Sequence, residues 1–87
     1  MSVIISPRAE KDFKKLPKVD QIAIAKKIRS LSSLSPSAET KLSGYKDIFR
    51  IRIGSYRIVY RKSRPDIYLI LIGHRKDIYQ RLQQLWR

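Results

Sequence analysis

Two short alternating runs dominate the hydropathy pattern of this chain. Apolar and basic residues alternate from Phe49 to Ile53 and again, except at Val59, from Tyr56 to Arg61, with Gly54-Ser55 between them. This is the signature of a β-hairpin closed by a two-residue loop, and Gly at the first loop position suits a type II′ turn. Such a loop sets the register: Ile53 faces Tyr56, Arg52 faces Arg57, Ile51 faces Ile58 and Arg50 faces Val59. Phe49, Ile51, Ile53, Tyr56, Ile58 and Tyr60 then share one face of the hairpin, and Arg50, Arg52, Arg57 and Arg61 share the other.

The remaining elements follow from periodicity and punctuation. Val3-Ile4-Ile5 reads as a short buried strand, and Ser6 with Pro7 behind it is a favourable helix start. Ala9, Phe13 and Leu16 make one apolar stripe, which Pro17 ends while opening a second helix. That helix carries Ile24, Ile28 and Leu31 as its stripe, with Ile22 and Ala25 expected to widen it. The serine-rich stretch Ser30 to Ser37, which includes Pro36, reads as a loop. Beyond the hairpin, Ser63-Arg64-Pro65-Asp66 signals a turn. The unalternating run Ile67 to Ile72 then reads as a strand covered on both faces or central in its sheet. Asp77 caps a last helix with Ile78, Leu82 and Leu85 as its stripe, flanked by Tyr79 and Trp86. The order is β-α-α-β-β-β-α, an α+β fold in which a helical hairpin packs on a small antiparallel sheet, and the whole of 1–87 is expected to form one domain. A register slip near Lys62–Asp66 would change the face that Arg75 joins.

Charge turns the hairpin into a candidate site. Like charges directly opposite each other on a sheet are destabilising, by up to about 1 kcal/mol. A sequence that sets Arg52 across from Arg57 therefore points to an anion held between them. A solvated strand face can look similar, but Lys is the commoner residue there. Arg instead has the planar fork that grips phosphate at two oxygens. The chain has 20 Lys and Arg against 7 acids, a formal charge of +13, which implies a polyanionic partner, with nucleic acid first. No apolar run approaches the ~20 residues that span a bilayer, so no membrane partner is expected. Met1–Ser6 lacks the charged start and length of a signal peptide, and with no cysteine in the chain a cytoplasmic protein is expected. One histidine and scattered acids offer no metal-ligand cluster, and no cofactor is expected.

Four pieces in order carry a family resemblance: Lys41-Leu42-Ser43-Gly44, the strand Phe49 to Ile53, the run Gly54 to Tyr60, and Gly73-His74-Arg75-Lys76-Asp77-Ile78-Tyr79. Together they resemble the RelE/ParE superfamily of toxins from type II toxin–antitoxin pairs, over nearly the whole chain. The RelE branch implies a microbial RNase fold that enters the ribosomal A site and cleaves mRNA there. Carried over by position, its basic residues on the strand before the turn fall on Arg50 and Arg52. The arginine of the following strand falls on Arg57, the arginine after the last strand on Arg75, and the C-terminal tyrosine on Tyr79.

The resemblance implies phosphoryl transfer to the RNA's own 2′-hydroxyl, with Arg52 and Arg57 holding phosphoryl oxygens, Arg75 at the leaving oxygen and Tyr79 stacked on a codon base. It also implies contacts with rRNA, and an acidic antitoxin as protein partner. Where the branch can carry Lys, this chain has Arg50 and Arg52, and Arg stays protonated in proteins, so neither is a ready general base. His74 is the one side chain that titrates near neutrality without perturbation and is the remaining candidate. Two other readings stand beside the nuclease: a ParE-like poison of DNA gyrase with no nuclease activity, and a nonenzymatic basic RNA-binding module.

Overall fold

The structure is a computed structural model that describes residues 2–31, 39–63 and 65–85. Its elements are β1 (Ser2–Ile5), α1 (Pro7–Lys14), α2 (Lys18–Ser30), β2 (Glu39–Lys41), β3 (Ile48–Ile53), β4 (Tyr56–Ser63), β5 (Asp66–His74) and α3 (Ile78–Leu85). The five strands form one sheet in the order β1-β5-β4-β3-β2. The α+β class and the helical hairpin on the sheet are as expected. The sheet is mixed, however, because β1 lies parallel to β5 while the other pairs are antiparallel. β2 is an element the periodicity does not announce, since Glu39-Thr40-Lys41 has no apolar residue to alternate. Most of the serine-rich loop, Arg64 of the β4–β5 turn, and Trp86 lie outside the described residues.

Helix α1 starts as its sequence dictates. The Ser6 Oγ accepts a bond from the Ala9 N–H at 3.0 Å and donates to the Ile70 carbonyl at 3.1 Å. One hydroxyl thus caps the helix and anchors it to β5. Ala9 is fully buried, with Phe13 and Leu16 packed against the same core. Pro17 then sits at the N-cap of α2. The Gln21 amide of α2 donates to the Phe13 carbonyl at 3.1 Å, closing the free end of α1 and fixing the tight turn between the helices.

The hairpin pair α1–α2 covers one face of the sheet. Ile24 and Leu31 meet Ile51, Ile58, Tyr60, Ile67, Leu69 and Ile72 there, and Ile28 packs at the margin. Ile22 does not widen this stripe: it is 62% exposed. Two residues before Ile24 is about 200° around a helix, the far side from the core. The opposite face is only half covered. Ile78 and Leu82 of α3 pack there on Ile48, Val59, Ile70 and Leu71, while Leu85 remains largely exposed. Strand β1 is less buried than its composition suggests, because it is an edge strand that leaves Ile4 and Ile5 largely open to solvent.

A shift of register between Val59 and Tyr60 organises the centre of the sheet. Val59 pairs with Leu71 while Tyr60 pairs with Leu69, so β5 carries one extra residue, Ile70. This is why Ile67, Leu69 and Ile72 share the α1–α2 face although an odd interval separates Leu69 from Ile72. It also lets Ile70 and Leu71 both feed the α3 side.

Two polar clasps complete the fold. Beyond Ile5, β1 no longer covers the edge of β5, and side chains take its place. The Asp12 Oδ2 accepts from the Ile72 N–H at 3.1 Å, and the Arg81 Nη1 donates to the Ile72 carbonyl at 3.3 Å. Asp12 and Arg81 join each other at 2.8 Å, which ties α1, β5 and α3 at one point. At the opposite edge, the Glu39 carboxylate of β2 accepts from the Tyr60 hydroxyl and from Lys62 Nζ, the latter at 2.7 Å. Lys62 also lies 4.5 Å from the centre of the Phe49 ring. Burial pushes the Tyr60 hydroxyl well above the usual tyrosine range, with the Glu39 hydrogen bond and charge adding to it.

Both clasps are testable. Asp12→Ala strands the Ile72 N–H and leaves Arg81 without its partner. It is expected to cost about 2 kcal/mol of stability, and a double-mutant cycle with Arg81→Met to show a coupling of roughly 1 kcal/mol in denaturant unfolding. The Tyr60 proton is held more tightly in the folded than in the unfolded chain. That contribution is therefore intact below about pH 10 and falls away as pH rises further. Between about pH 9 and 11, the unfolding midpoint of the wild type is expected to fall more steeply than that of Tyr60→Phe.

Candidate active site

The β3–β4 hairpin forms in the register its turn requires. Gly54 has φ +57°, and the described backbone at Ser55 has no positive φ, the combination of a type II′ turn. Arg52 pairs with Arg57, Ile51 with Ile58 and Arg50 with Val59. The basic side chains share the sheet face that α3 only half covers. Beside α3, Arg50, Arg52 and Arg57 stand on that face.

These arginines differ in environment. Arg52 is exposed and Arg50 half-buried. Arg57 is 9% exposed, and its Nη1 donates to the Gly54 carbonyl at 3.1 Å and to the Tyr56 carbonyl at 2.9 Å. The two carbonyls steer the guanidinium toward the hairpin turn and satisfy part of its donor set, but they carry no full negative charge. A buried cation ordinarily has a paired anion. Among the described residues no carboxylate lies within salt-bridge distance of Arg50, Arg52, Arg57 or Arg75.

Arg75 reaches the same end of the sheet through the backbone. Its N–H donates to the Ser55 carbonyl at 2.8 Å, extending the β4–β5 ladder past His74 to the hairpin turn. Gly73 is the cross-strand partner of Arg57, and Arg75 lies two residues further on, so strand alternation puts it on the side of Arg57. The extra residue in β5 decides this, because without it Arg75 would alternate to the α1–α2 side. Tyr79, in the first turn of α3, is 40% exposed.

His74 sits apart from the arginines. It pairs with Tyr56 on the α1–α2 face, and the two rings meet edge to face with centroids 5.9 Å apart. Its Nδ1 accepts from the Lys76 N–H at 3.2 Å. That bond assigns the neutral ring proton to Nε2, so in this tautomer neither nitrogen has a lone pair free to take a proton.

Two supporting residues, Asp12 and Arg81, lie outside the sequence reading, and the packing role of Gly73 does too. Gly73 admits α3 closely: a Cβ there would stand 2.9 Å from Arg81 Nη1 and 3.1 Å from Ile78 Cδ1. Arg81 is itself pinned by Asp12, so the helix bearing Tyr79 is set by this contact. The glycine was the only legible signal, since residues 12 and 81 are too distant in sequence to pair by pattern. Among the described residues there is no group of three or more His, Asp or Glu that could hold a metal ion. No helix among them is long and apolar enough to cross a membrane.

Comparison with known proteins bears on this arrangement. Residues 3–79 match the family model for the ParE toxin of the type II toxin–antitoxin system parDE. No curated protein sequence matches the chain. Among solved structures, the RelB–RelE antitoxin–toxin complex from Methanococcus jannaschii is similar at a TM-score of 0.77 and 28% identity, covering 90% of this chain and 96% of that one. The intact E. coli RelBE toxin–antitoxin complex gives a TM-score of 0.71 and 28% identity over 84% of this chain and 94% of that one. The isolated E. coli RelE toxin gives 0.71 and 25% identity over 99% and 98%.

Gly73→Ala is expected to push Arg81 off Asp12 while leaving the sheet intact. Hydrogen exchange is then expected to quicken in residues 78–85 and to stay unchanged in β3 and β4.

Proposed function

This chain belongs to the ParE toxin family of type II toxin–antitoxin systems and has the fold of the RelE toxins, and on that premise we propose that it is a ribosome-dependent mRNA endonuclease. The observation that carries the reading is Arg57: a nearly buried guanidinium held by two carbonyls, without a carboxylate, in a row with Arg52 and Arg75. Such a site lacks an anion, and a phosphodiester supplies one.

In the proposed reaction the 2′-oxygen attacks the adjacent phosphorus. The O2′–P bond forms and the P–O5′ bond breaks, leaving a 2′,3′-cyclic phosphate and a free 5′-hydroxyl. Arg57 and Arg52 hold the phosphoryl oxygens as negative charge grows on them, and preorganised donors of this kind lower such a barrier substantially. Arg57 is the better placed, because its carbonyl contacts fix it before substrate arrives. Arg75 offsets the charge on the departing 5′-oxygen, which takes up a proton from water to become the 5′-hydroxyl. Tyr79 stacks on a base of the codon, and Arg50 holds the neighbouring phosphate. No arginine takes the 2′-proton, and the His74 Nδ1 is already occupied by the Lys76 N–H. The chain thus works by positioning and charge, with the proton leaving to the RNA or ribosomal groups around it.

The antitoxin partner follows from the same charge. The M. jannaschii and E. coli relatives were solved with RelB antitoxin bound. A net charge of +13 suits an acidic segment that folds on binding. Gyrase poisoning is the alternative reading, and the similarity to solved RelE toxins does not favour it.

Toeprinting on translating ribosomes tests the proposal. Wild type is expected to cut within the A-site codon only when ribosomes are present, and Arg57→Ala to lose at least about 100-fold in rate while staying folded. Growth arrest with no cut on or off the ribosome would sink the nuclease reading and turn to a supercoiling assay. Co-expression with the adjacent small open reading frame is expected to restore growth and yield a stable complex. Failure to form any complex would count against an antitoxin partner.

A further inference from the structure

The half-covered sheet face has a second open end, beyond α3, where no role has been assigned. Ile4, Tyr68 and Arg61 stand side by side there on β1, β5 and β4. Tyr68 is 40% exposed, unlike the other aromatic residues of the strands, which are buried or half-buried. Tyr68 lines two open hollows. One, of about 410 Å³, contains Ile4, Arg61 and Asp66. The other, of about 370 Å³, contains Arg8 and Leu85.

Each hollow therefore contains an arginine. Asp66 shares a hollow with Arg61, yet among the described residues neither Arg61 nor Arg8 is within salt-bridge distance of a carboxylate. Arg61 lies on the same strand and face as Arg57, four residues away, or about 13 Å along β4. A stacked strand advances about 3.4 Å per nucleotide, so that span is roughly four nucleotides of one continuous chain.

We propose that Tyr68, Arg61 and Arg8 form a second contact for single-stranded RNA, in which bases stack on the Tyr68 ring and the two guanidiniums hold flanking phosphates. This rests on the reading of RNA as substrate. Aromatic faces with interleaved arginines hold unpaired nucleic acid with little sequence preference. A second copy of the chain is a poor occupant, since each copy carries +13. The platform extends the footprint beyond the reacting codon and adds affinity without touching the reacting phosphate.

The test is fluorescence anisotropy with a short labelled 2′-O-methyl oligoribonucleotide, which cannot be cleaved, run beside toeprinting of the same proteins. Tyr68→Ala is expected to weaken binding roughly tenfold, the loss of a base stack, while Tyr68→Phe stays within about twofold of wild type. Arg61→Ala is expected to lower the slope of affinity against salt by about 0.7. All three should unfold near the wild-type temperature, because their side chains are exposed. Affinity within about twofold of wild type for Tyr68→Ala would overturn the platform, as would a defect confined to antitoxin binding. Absence of any oligonucleotide binding by wild type would also overturn it, whereas the nuclease reading stands or falls on the toeprint alone.

Discussion

The Asp12 carboxylate is the contact on which the rest of the arrangement turns. Strand β1 is only four residues long and leaves the edge of β5 without a partner beyond Leu69. A bare edge beside a core would strand backbone groups that must be satisfied. The Ser6 hydroxyl takes the Ile70 carbonyl, Asp12 takes the Ile72 N–H, and Arg81 takes the Ile72 carbonyl. Helices α1 and α3 therefore finish an edge that the sheet leaves open. Because Asp12 also pairs with Arg81, the helix that carries Tyr79 is anchored to the helical hairpin as well as to the sheet.

This use of acids explains the electrostatics of the open face. Of the seven carboxylates, Asp12 and Glu39 are committed to clasps at opposite edges of the sheet, and Glu10 pairs along α1 with Lys14. None of these reaches the arginines of the hairpin. The result is a fold whose few negative charges stabilise its edges while its positive charges stay uncompensated on one face. The mutual repulsion of Arg52 and Arg57 costs little in the free protein, since Arg52 extends into solvent and Arg57 is drawn onto two carbonyls.

Helix α3 divides the open face into two ends. Gly73 lets it lie close on β5, and Ile78 and Leu82 bury Val59 and Leu71 in the middle of the sheet. Arg57 and Arg75 are left at one end and Arg61 and Tyr68 at the other. A single apolar stripe and one half-buried ion pair hold this divider. Its attachment governs both ends of the face together.

Local chemistry made much of this molecule legible from its sequence. The hairpin register, the Gly54 turn, the Ser6 cap, the α1 stripe and the doubly covered β5 all depend on residues within a turn or two of one another. The arginine row followed from the same alternation, and the family resemblance came from four short pieces in order. What only the tertiary structure decided involves partners far apart in the chain. Asp12 and Arg81 are 69 positions apart, and no periodicity links them. Strand β2 pairs with β3, and its Glu39 reaches Tyr60 and Lys62 two strands away. The parallel seat of β1, and the extra residue Ile70 that brings Arg75 to the side of Arg57, likewise come from packing. Period and turn chemistry act over a few residues, whereas the choice of face at the end of a long strand depends on how two layers of side chains fill the space on either side of it.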